Sequence, residues 1–216
     1  MHWRVGLIDS GADGAPVVAA ARFATDGARA AATADPTGHG TRVAARIVGT
    51  RTDVEFVLAQ VFDSARPTSA AAVAAALDWC VAQGAQLVHL SLGLAADRAP
   101  LEAAVGRALA AGCLVVAATP ARGEPVYPAA YAGVIAATGD ARCGAEEIAR
   151  LGPATFAGCV HAGGSRGASI GAAGVSRALI AALAPGAPHA AALQALAARS
   201  RYDGPERRAR AARAAR

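Results

Sequence analysis

The chain has 216 residues, 54% of them hydrophobic but only 4% aromatic, so we expect one compact domain with a core of Ala, Val and Leu. No run of about 18 uncharged apolar residues occurs, which excludes a membrane-spanning helix from the expected elements. The formal charge is +5, but the segment 199–216 holds seven arginines against two acidic residues and accounts for all of it, so nucleic acid is not an expected partner.

Apolar runs alternate with alanine-rich helical patterns along the chain. Strands are predicted at 4–8, 54–61, 86–90, 113–117 and 133–138, and helices at 40–48, 68–82, 100–111, 168–183 and 188–198. This alternation favours an α/β domain with a parallel sheet and helices on both faces. We assign residues 1–198 to this domain and 199–216 to an Arg-rich C-terminal tail, either a solvated end or a docking segment for an acidic partner.

The four cysteines lie far apart in the sequence, at Cys80, Cys113, Cys143 and Cys159. They form no CxxC pair and have no nearby histidine at metal-binding spacing, which disfavours a zinc site. Buried free thiols are the expected state. No metal or organic cofactor is expected.

Three short segments place a reactive side chain where an element begins or ends. Asp9 follows a buried strand in VGLIDSG, His39 stands between two glycines in TGHGTRVAARI, and Ser169 opens a helix in RGASIGAAGVSRAL. Active sites of open α/β sheets are assembled at such positions. A serine hydroxyl is a weak nucleophile that needs a histidine to take its proton and a carboxylate to orient that histidine, and these three residues can supply the three roles. Taken singly, each residue is more often a turn, loop or helix-cap residue.

Taken together, these segments resemble the motifs of the subtilisin-like serine protease family. Residues 8–11 (IDSG) are similar to the family's aspartate motif, 38–44 (GHGTRVA) to its histidine motif and, more loosely, 167–175 (GASIGAAGV) to its serine motif. The resemblance implies a three-layer α/β sandwich with a mostly parallel sheet, and a catalytic triad of Asp9, His39 and Ser169.

Two further segments extend this resemblance over about residues 4–184. Residues 88–93 (VHLSLG) are similar to the family's substrate-lining strand, which implies substrate binding by Ser91, Leu92 and Gly93. Residues 127–129 (YPA) followed by 133–136 (GVIA) resemble the stretch beyond the oxyanion region.

Two features depart from the family pattern. The asparagine that helps to hold the oxyanion in the family is absent from the aligned run, residues 115–122 (VVAATPAR). The alternative donors are Thr119 and Arg122 in this run, or the backbone amide of Ser169. The Pro-His pair that follows the family's serine is replaced by Ala173 and Gly174, which we expect to alter the packing of the helix and to leave the nucleophile in place.

The implied function is a serine endopeptidase that acts through an acyl-enzyme. The alternative is a catalytically weak or inactive subtilisin-like module that binds a peptide. Because no signal peptide or pro-segment precedes the first strand, we expect a cytoplasmic protein without the calcium sites of secreted relatives. The features also resemble the small intracellular subtilisin-like proteases that remove a leader peptide in quinohemoprotein amine dehydrogenase maturation. The expected partner is therefore a peptide or protein substrate, such as a modified precursor with a leader peptide. A membrane is not an expected partner.

Overall fold

The central strands are short apolar runs buried on both sides, as a parallel sheet covered by helices requires. The structure, a computed structural model, describes residues 2–62, 68–162 and 164–206. Within them the strands are β1 (Trp3–Asp9), β2 (Val17–Phe23), β3 (Arg29–Ala30), β4 (Val54–Gln60), β5 (Leu87–Leu90), β6 (Leu114–Ala118), β7 (Ile135–Asp140), β8 (Ile148–Arg150), β9 (Thr155–Cys159), β10 (His161–Ala162), β11 (Ser165–Arg166) and β12 (Ser200–Asp203). The helices are α1 (His39–Val48), α2 (Ala70–Ala82), α3 (Ala99–Ala110), α4 (Ala168–Ala182) and α5 (His189–Arg199).

Ten of the strands form one sheet, in the order β12-β8-β9-β7-β6-β5-β1-β4-β2-β3, and β10 pairs with β11 in a separate hairpin. All neighbours between β9 and β2 in this order run parallel, whereas β8 is antiparallel to β9 and β3 to β2. The predicted α/β class with a mostly parallel sheet is therefore confirmed.

Helices cover both faces of the sheet and form two cores. Helices α2 and α3 pack on one face, where Ile8, Leu77 and Leu101 are buried. Helices α1, α4 and α5 pack on the other face, where Leu7 and Leu179 are buried. Alanine and valine supply much of both cores, as the composition predicts, and the three layers are those expected of a subtilisin-like sandwich.

All five predicted strands and all five predicted helices are present, with ends displaced by up to two residues. The predicted start of the second helix, residue 68, lies two residues before α2, and Ser69 caps this helix by accepting a hydrogen bond from the Ala72 amide at 3.0 Å. Strands β2, β3 and β8–β12 are additions to the predicted set.

The segment assigned to the Arg-rich tail begins inside the fold. Strand β12 pairs with β8, and the guanidinium of Arg142 lies 5.0 Å from the ring centre of Tyr202 and donates to the Gly204 carbonyl at 2.7 Å. Residues 200–203 therefore belong to the sheet. The remaining arginines of the tail, residues 207–216, lie outside the described residues.

The helix that carries Ser169 packs unusually close to the sheet. A Cβ atom added to Gly171 would lie 2.4 Å from the Gly139 Cα and 2.4 Å from the Thr138 carbonyl oxygen, and one added to Gly158 would lie 2.5 Å from the Gly171 carbonyl oxygen. Only glycine allows this approach of α4 to β7 and β9. The start of α4 is thereby held against rigid backbone.

All four cysteines are buried free thiols, as predicted, and burial raises the pKa of Cys80, Cys113 and Cys143. In the part of the chain that the structure describes, no helix has the length and apolar character needed to span a bilayer.

Candidate active site

The three predicted catalytic residues come from three elements that meet at the carboxyl edge of the parallel sheet. Asp9 is the last residue of β1, His39 is the first residue of α1, and Ser169 lies in the first turn of α4. The carboxyl ends of parallel strands are where open α/β sheets form their sites. The fold thus brings together residues that lie up to 160 positions apart in the sequence.

His39 and Asp9 are joined by a direct hydrogen bond. His39 Nδ1 lies 2.8 Å from Asp9 Oδ1, and the Asp9 side chain is fully buried. This hydrogen bond raises the pKa of His39, against the burial of the imidazole and the nearby charge of Arg42, which lower it. A carboxylate bound at Nδ1 fixes the ring orientation and leaves Nε2 free to accept a proton.

Ser10 supports the Asp9 carboxylate and ties it to α1. The Ser10 amide donates to Asp9 Oδ1 at 2.6 Å and its hydroxyl lies 3.2 Å from the same oxygen. That hydroxyl also accepts hydrogen bonds from the Thr37 hydroxyl at 2.8 Å and from the Gly40 amide at 3.1 Å. Gln60, at the end of β4, donates to the Ser10 carbonyl at 2.6 Å. The turn after β1 is therefore fixed by contacts from two other elements.

Asp35 organises the loop that presents His39, a role that the sequence analysis missed. Its carboxylate accepts from the Gly38 amide at 2.9 Å, from the Thr41 amide at 2.9 Å and from the Thr41 hydroxyl at 2.7 Å. Partial burial raises the pKa of Asp35, but the hydrogen bonds from Thr41, with those from Ser10 and Thr37, outweigh it and hold that pKa at about 2. An ionised carboxylate at a helix N-terminus satisfies the free amides of the first turn and suits the helix dipole. A capping aspartate four residues before the histidine was the available signal.

The backbone conformation and close packing beside His39 require glycine on both sides of it. Gly38 has φ +66°, in the left-handed region that favours glycine. A Cβ atom added to Gly40 would lie 2.1 Å from the Gly11 carbonyl oxygen and 3.0 Å from the Asp9 Cβ. The start of α1 can therefore approach the end of β1 closely enough for His39 to reach Asp9.

Ser169 lines the same cleft as His39, a cavity of about 500 Å³ at the start of α4. Its hydroxyl donates to the Ser91 carbonyl oxygen at 3.4 Å, and the described contacts contain no hydrogen bond between Ser169 and His39. Hydrogen bonds between a nucleophile and its base are often long until substrate is bound. The structure thus brings Ser169 and His39 to one cleft, with buried Asp9 bound to the imidazole and the serine hydroxyl directed toward the end of β5.

The predicted substrate-binding residues follow β5 directly. Ser91 lines a second cleft of about 350 Å³ with Phe62 and His39. The Leu92 side chain is buried in the core, so this residue has only its backbone for a substrate. Gly93 packs against Val126, and a Cβ atom added there would lie 2.6 Å from a Val126 methyl group. The segment then joins Tyr127 through backbone hydrogen bonds at Leu94, of 2.7 and 2.8 Å.

The two side chains considered as oxyanion donors lie in the segment after β6. Thr119 follows β6 and its amide donates to the Ala137 carbonyl at 2.8 Å, while Arg122 is exposed. Neither belongs to the residues that line the two clefts. The remaining donor of the three is the Ser169 amide in the first turn of α4, where helix amides have no intrahelical partner.

A buried histidine lies beneath the triad, at His89 in β5. Its Nδ1 is 2.9 Å from the hydroxyl of Ser176, two turns after Ser169 on α4, and its Nε2 is buried without a hydrogen-bond partner among the described residues. Burial lowers the pKa of His89 to about 4; the charge of Asp9 opposes this and that of His39 adds to it. His89 is therefore a neutral core histidine close enough to Asp9 and His39 for their charges to affect its pKa.

The described residues contain no group of three or more His, Cys, Asp or Glu side chains that could hold a metal ion.

Comparison with known proteins gives one family over nearly the whole described chain. Residues 4–206 match the model of the subtilase family, Peptidase_S8. A thermostable alkaline protease of Halalkalibacterium halodurans is 31% identical over 144 residues, which cover 62% of this chain and 40% of that protein. Subtilisin Savinase of Lederbergia lenta is 35% identical over 115 residues, covering 48% of this chain and 43% of that protein. The chain therefore matches less than half the length of these two relatives.

A solved lanthipeptide protease shares the fold. It superposes with a TM-score of 0.56 at 24% sequence identity, over 64% of this chain and 48% of that protein.

Proposed function

This chain belongs to the subtilase family, and from that membership we propose that it is a serine endopeptidase that cleaves a peptide bond through an acyl-enzyme. The observation that carries the proposal is the 2.8 Å hydrogen bond between His39 Nδ1 and buried Asp9, at a cleft that Ser169 also lines. A histidine oriented in this way is the base that a serine nucleophile needs.

In the proposed reaction the Ser169 hydroxyl attacks the carbonyl carbon of the substrate, and His39 Nε2 takes the hydroxyl proton. Asp9 holds the imidazole in the required tautomer and stabilises the imidazolium. His39 then gives the proton to the leaving amine, and water repeats the sequence to release the acyl group. Because the Asp9 hydrogen bond raises the pKa of His39, the base is strengthened for the first step.

The oxyanion site lacks the asparagine donor of the family and is the least complete part of the proposed active site. The Ser169 amide lies at the N-terminus of α4, where the helix dipole favours the developing negative charge. The loss of one further donor lowers turnover on the order of 10²–10³-fold, a magnitude measured in a subtilisin rather than in this chain. We therefore propose a slow enzyme with an altered oxyanion site.

A fluorophosphonate probe tests the proposal directly, because it reacts with an activated serine and does not require a known substrate. The intact protein should be labelled and the Ser169→Ala variant should not. Ser200→Ala, which removes a hydroxyl at the far end of α5, is the matched control and should be labelled like the intact protein. Peptide mapping should locate the label on Ser169.

A second candidate is a peptide-binding module that has lost catalysis. The 3.4 Å contact of the Ser169 hydroxyl with the Ser91 carbonyl and the missing asparagine favour it. An intact, folded protein that takes no label would support this candidate and reject the peptidase. Binding of extended peptides along residues 91–93 would then be its function.

We further propose that the substrate is a specific intracellular precursor, such as a modified peptide that carries a leader, and that the protein acts in the cytoplasm. A slow active site suits an enzyme with one dedicated substrate. Deletion of the gene should cause an uncleaved precursor to accumulate in a comparison of cell peptides, and expression of intact protein but not of Ser169→Ala should reverse this. Fractionation that finds the protein outside the cytoplasm would reject the proposed location.

A further inference from the structure

Two arginines line the cleft that holds Ser169 and His39. Arg42 lies on α1, one turn after His39, and Arg166 lies on β11, three residues before Ser169. The other residues that line this cleft are glycines and small or apolar residues, and none of the described lining residues is acidic. The cleft is therefore positively charged beside the reacting groups.

Among the described residues, no acidic side chain pairs with either guanidinium. Both arginine side chains are exposed, and within the described part of the chain neither Arg42 nor Arg166 forms an ion pair or a side-chain hydrogen bond. Other arginines of this chain are paired, for example Arg107 with Asp78 at 2.7 Å and Arg142 with Asp140 at 2.6 Å. With no partner among the described residues, the two cations are available to bind an anion.

The fold holds both arginines near the reacting groups. The Arg42 guanidinium lies against Gly38, so close that a Cβ atom on Gly38 would be 2.9 Å from its Nη1 atom, and its charge lowers the pKa of His39. Arg166 is placed by the β10–β11 hairpin, whose register sets it opposite His161, and the Gly167 amide closes this turn on the Val160 carbonyl at 3.0 Å.

The expected substrate segment at Ser91 indicates which side of the scissile bond the arginines occupy. His39 separates two clefts, and the other one is lined by Ser91 and Phe62. Ser91 begins the segment assigned to the extended substrate, so the Ser91 cleft receives the acyl part of the substrate. The cleft of Arg42 and Arg166 then receives the residues that follow the scissile bond.

We propose that Arg42 and Arg166 select a substrate with a carboxylate side chain directly after the scissile bond. Guanidinium groups form paired, charge-assisted hydrogen bonds with carboxylates, and a cleft without acidic groups repels a cation in the same place. The inference rests on the proposed peptidase activity and defines its substrate class.

Acyl transfer to an added amine tests binding on the leaving-group side of the scissile bond separately from acylation of Ser169. Ser169 attacks the carbonyl of p-nitrophenyl butyrate and expels p-nitrophenolate, and the resulting acyl-enzyme is taken either by water or by an added amine, which forms an amide and frees the serine. Glutamic acid amide and glutamine amide serve as matched acceptors at about pH 8.5, where their α-amino groups are largely neutral. The ratio of the two butyryl amides formed measures preference within each variant, independently of the acylation rate.

The intact protein should favour the glutamic acid acceptor by about five- to tenfold, the range of one or two partly exposed ion pairs. The ratio should fall toward one in Arg42→Gln/Arg166→Gln and as salt is raised to about 1 M, because salt screens exposed charges. Arg22→Gln, which removes an exposed arginine of β2, should keep the intact ratio.

The outcomes distinguish failure of the proposed role of the two arginines from failure of the proposed peptidase activity. Formation of both amides without preference, or a preference that persists in the double variant, overturns the assignment of the arginines and leaves the peptidase standing. Absence of p-nitrophenolate release that depends on Ser169, together with absence of fluorophosphonate labelling, overturns the peptidase and with it the inference.

Discussion

The buried histidine below the triad should make the stability of this protein sensitive to mild acid. His89 is fully buried, and its pKa lies at about 4, below the value of 6.5 expected in the unfolded chain. Between these two values the unfolded chain binds a proton that the folded protein does not. The contribution of His89 to stability is therefore complete above about pH 6.5 and is lost as the pH falls toward 4.

The magnitude follows from the two pKa values. Lowering the pKa from 6.5 to about 4 corresponds to about 3 kcal/mol of unfolding free energy, of which about 2 kcal/mol is lost between about pH 7 and pH 5. His39 contributes with the opposite sign and in another window, because its raised pKa gives stability that is present below 6.5 and lost as the pH rises through the folded value. Asp35, with a pKa of about 2, loses its contribution only below about pH 4.

Urea unfolding followed by circular dichroism at about pH 7 and pH 5 measures this loss. His89→Asn keeps a polar group beside Ser176 but does not titrate, so it should lose about 2 kcal/mol less than the intact protein between the two conditions. His161→Asn, at an exposed histidine, should behave as the intact protein does. Each difference is taken within one variant, so a general loss of stability in His89→Asn does not affect it. Equal losses in the intact protein and His89→Asn would show that His89 does not cause the acid sensitivity.

Three further changes test the site and its support. Asp9→Asn should lower kcat for the p-nitrophenyl ester on the order of 10³–10⁴-fold without unfolding, because an amide favours the wrong imidazole tautomer; full activity with a native spectrum would contradict this. Gly171→Ala should cost about 1–3 kcal/mol in urea unfolding, since its Cβ would lie 2.4 Å from the backbone of β7, whereas Gly106→Ala on α3 has open space and should gain up to about 1 kcal/mol. Arg42→Gln should move the acid limb of the kcat/KM profile to higher pH, because the guanidinium lowers the pKa of His39; an unmoved limb would remove Arg42 from the surroundings of the base.

The sequence predicted the elements whose pattern carries a strong signal. The buried strands β1, β4, β5, β6 and β7 are built mainly from apolar residues, and the helices carry clear small-residue or apolar stripes. The strands at the two sides of the sheet were missed for a physical reason. Exposed residues of β2 alternate with buried or partly buried ones, and β8 and β12 have only three and four residues. Short strands of this kind gain their stability from the neighbours with which they pair, and local sequence does not encode those neighbours.

The same division holds at the site. Asp9, His39 and Ser169 stand in motifs that sequence comparison finds, whereas Asp35 and His89 act through contacts made only in the folded chain. Asp35 reaches the amides before and after His39, and His89 meets Ser176 across 87 positions of sequence. Neither contact has a local signature beyond a capping aspartate and a histidine in an apolar strand.

The departure after the nucleophile has a structural reason at Gly174. A Cβ atom there would lie 3.2 Å from the Arg46 guanidinium, which is largely buried and donates to the Ala145 carbonyl and to Glu146. Arg177 donates to the same Glu146 carboxylate at 2.8 Å. A histidine in place of Gly174 would meet the Arg46 side chain, so the missing Pro-His pair and this arginine network belong together.

This network leaves the start of α4 unaffected. Arg46 approaches α4 at Gly174, in the second turn, and Arg177 lies further along the same helix. Ser169 lies in the first turn, where Gly171 packs against β7. The altered motif therefore replaces one way of packing the helix by another, without displacing the nucleophile. The difference that matters for chemistry is then the missing oxyanion asparagine. An asparagine introduced at Ala121, within the run 115–122 that aligns with the family's oxyanion segment, should raise the turnover of the ester.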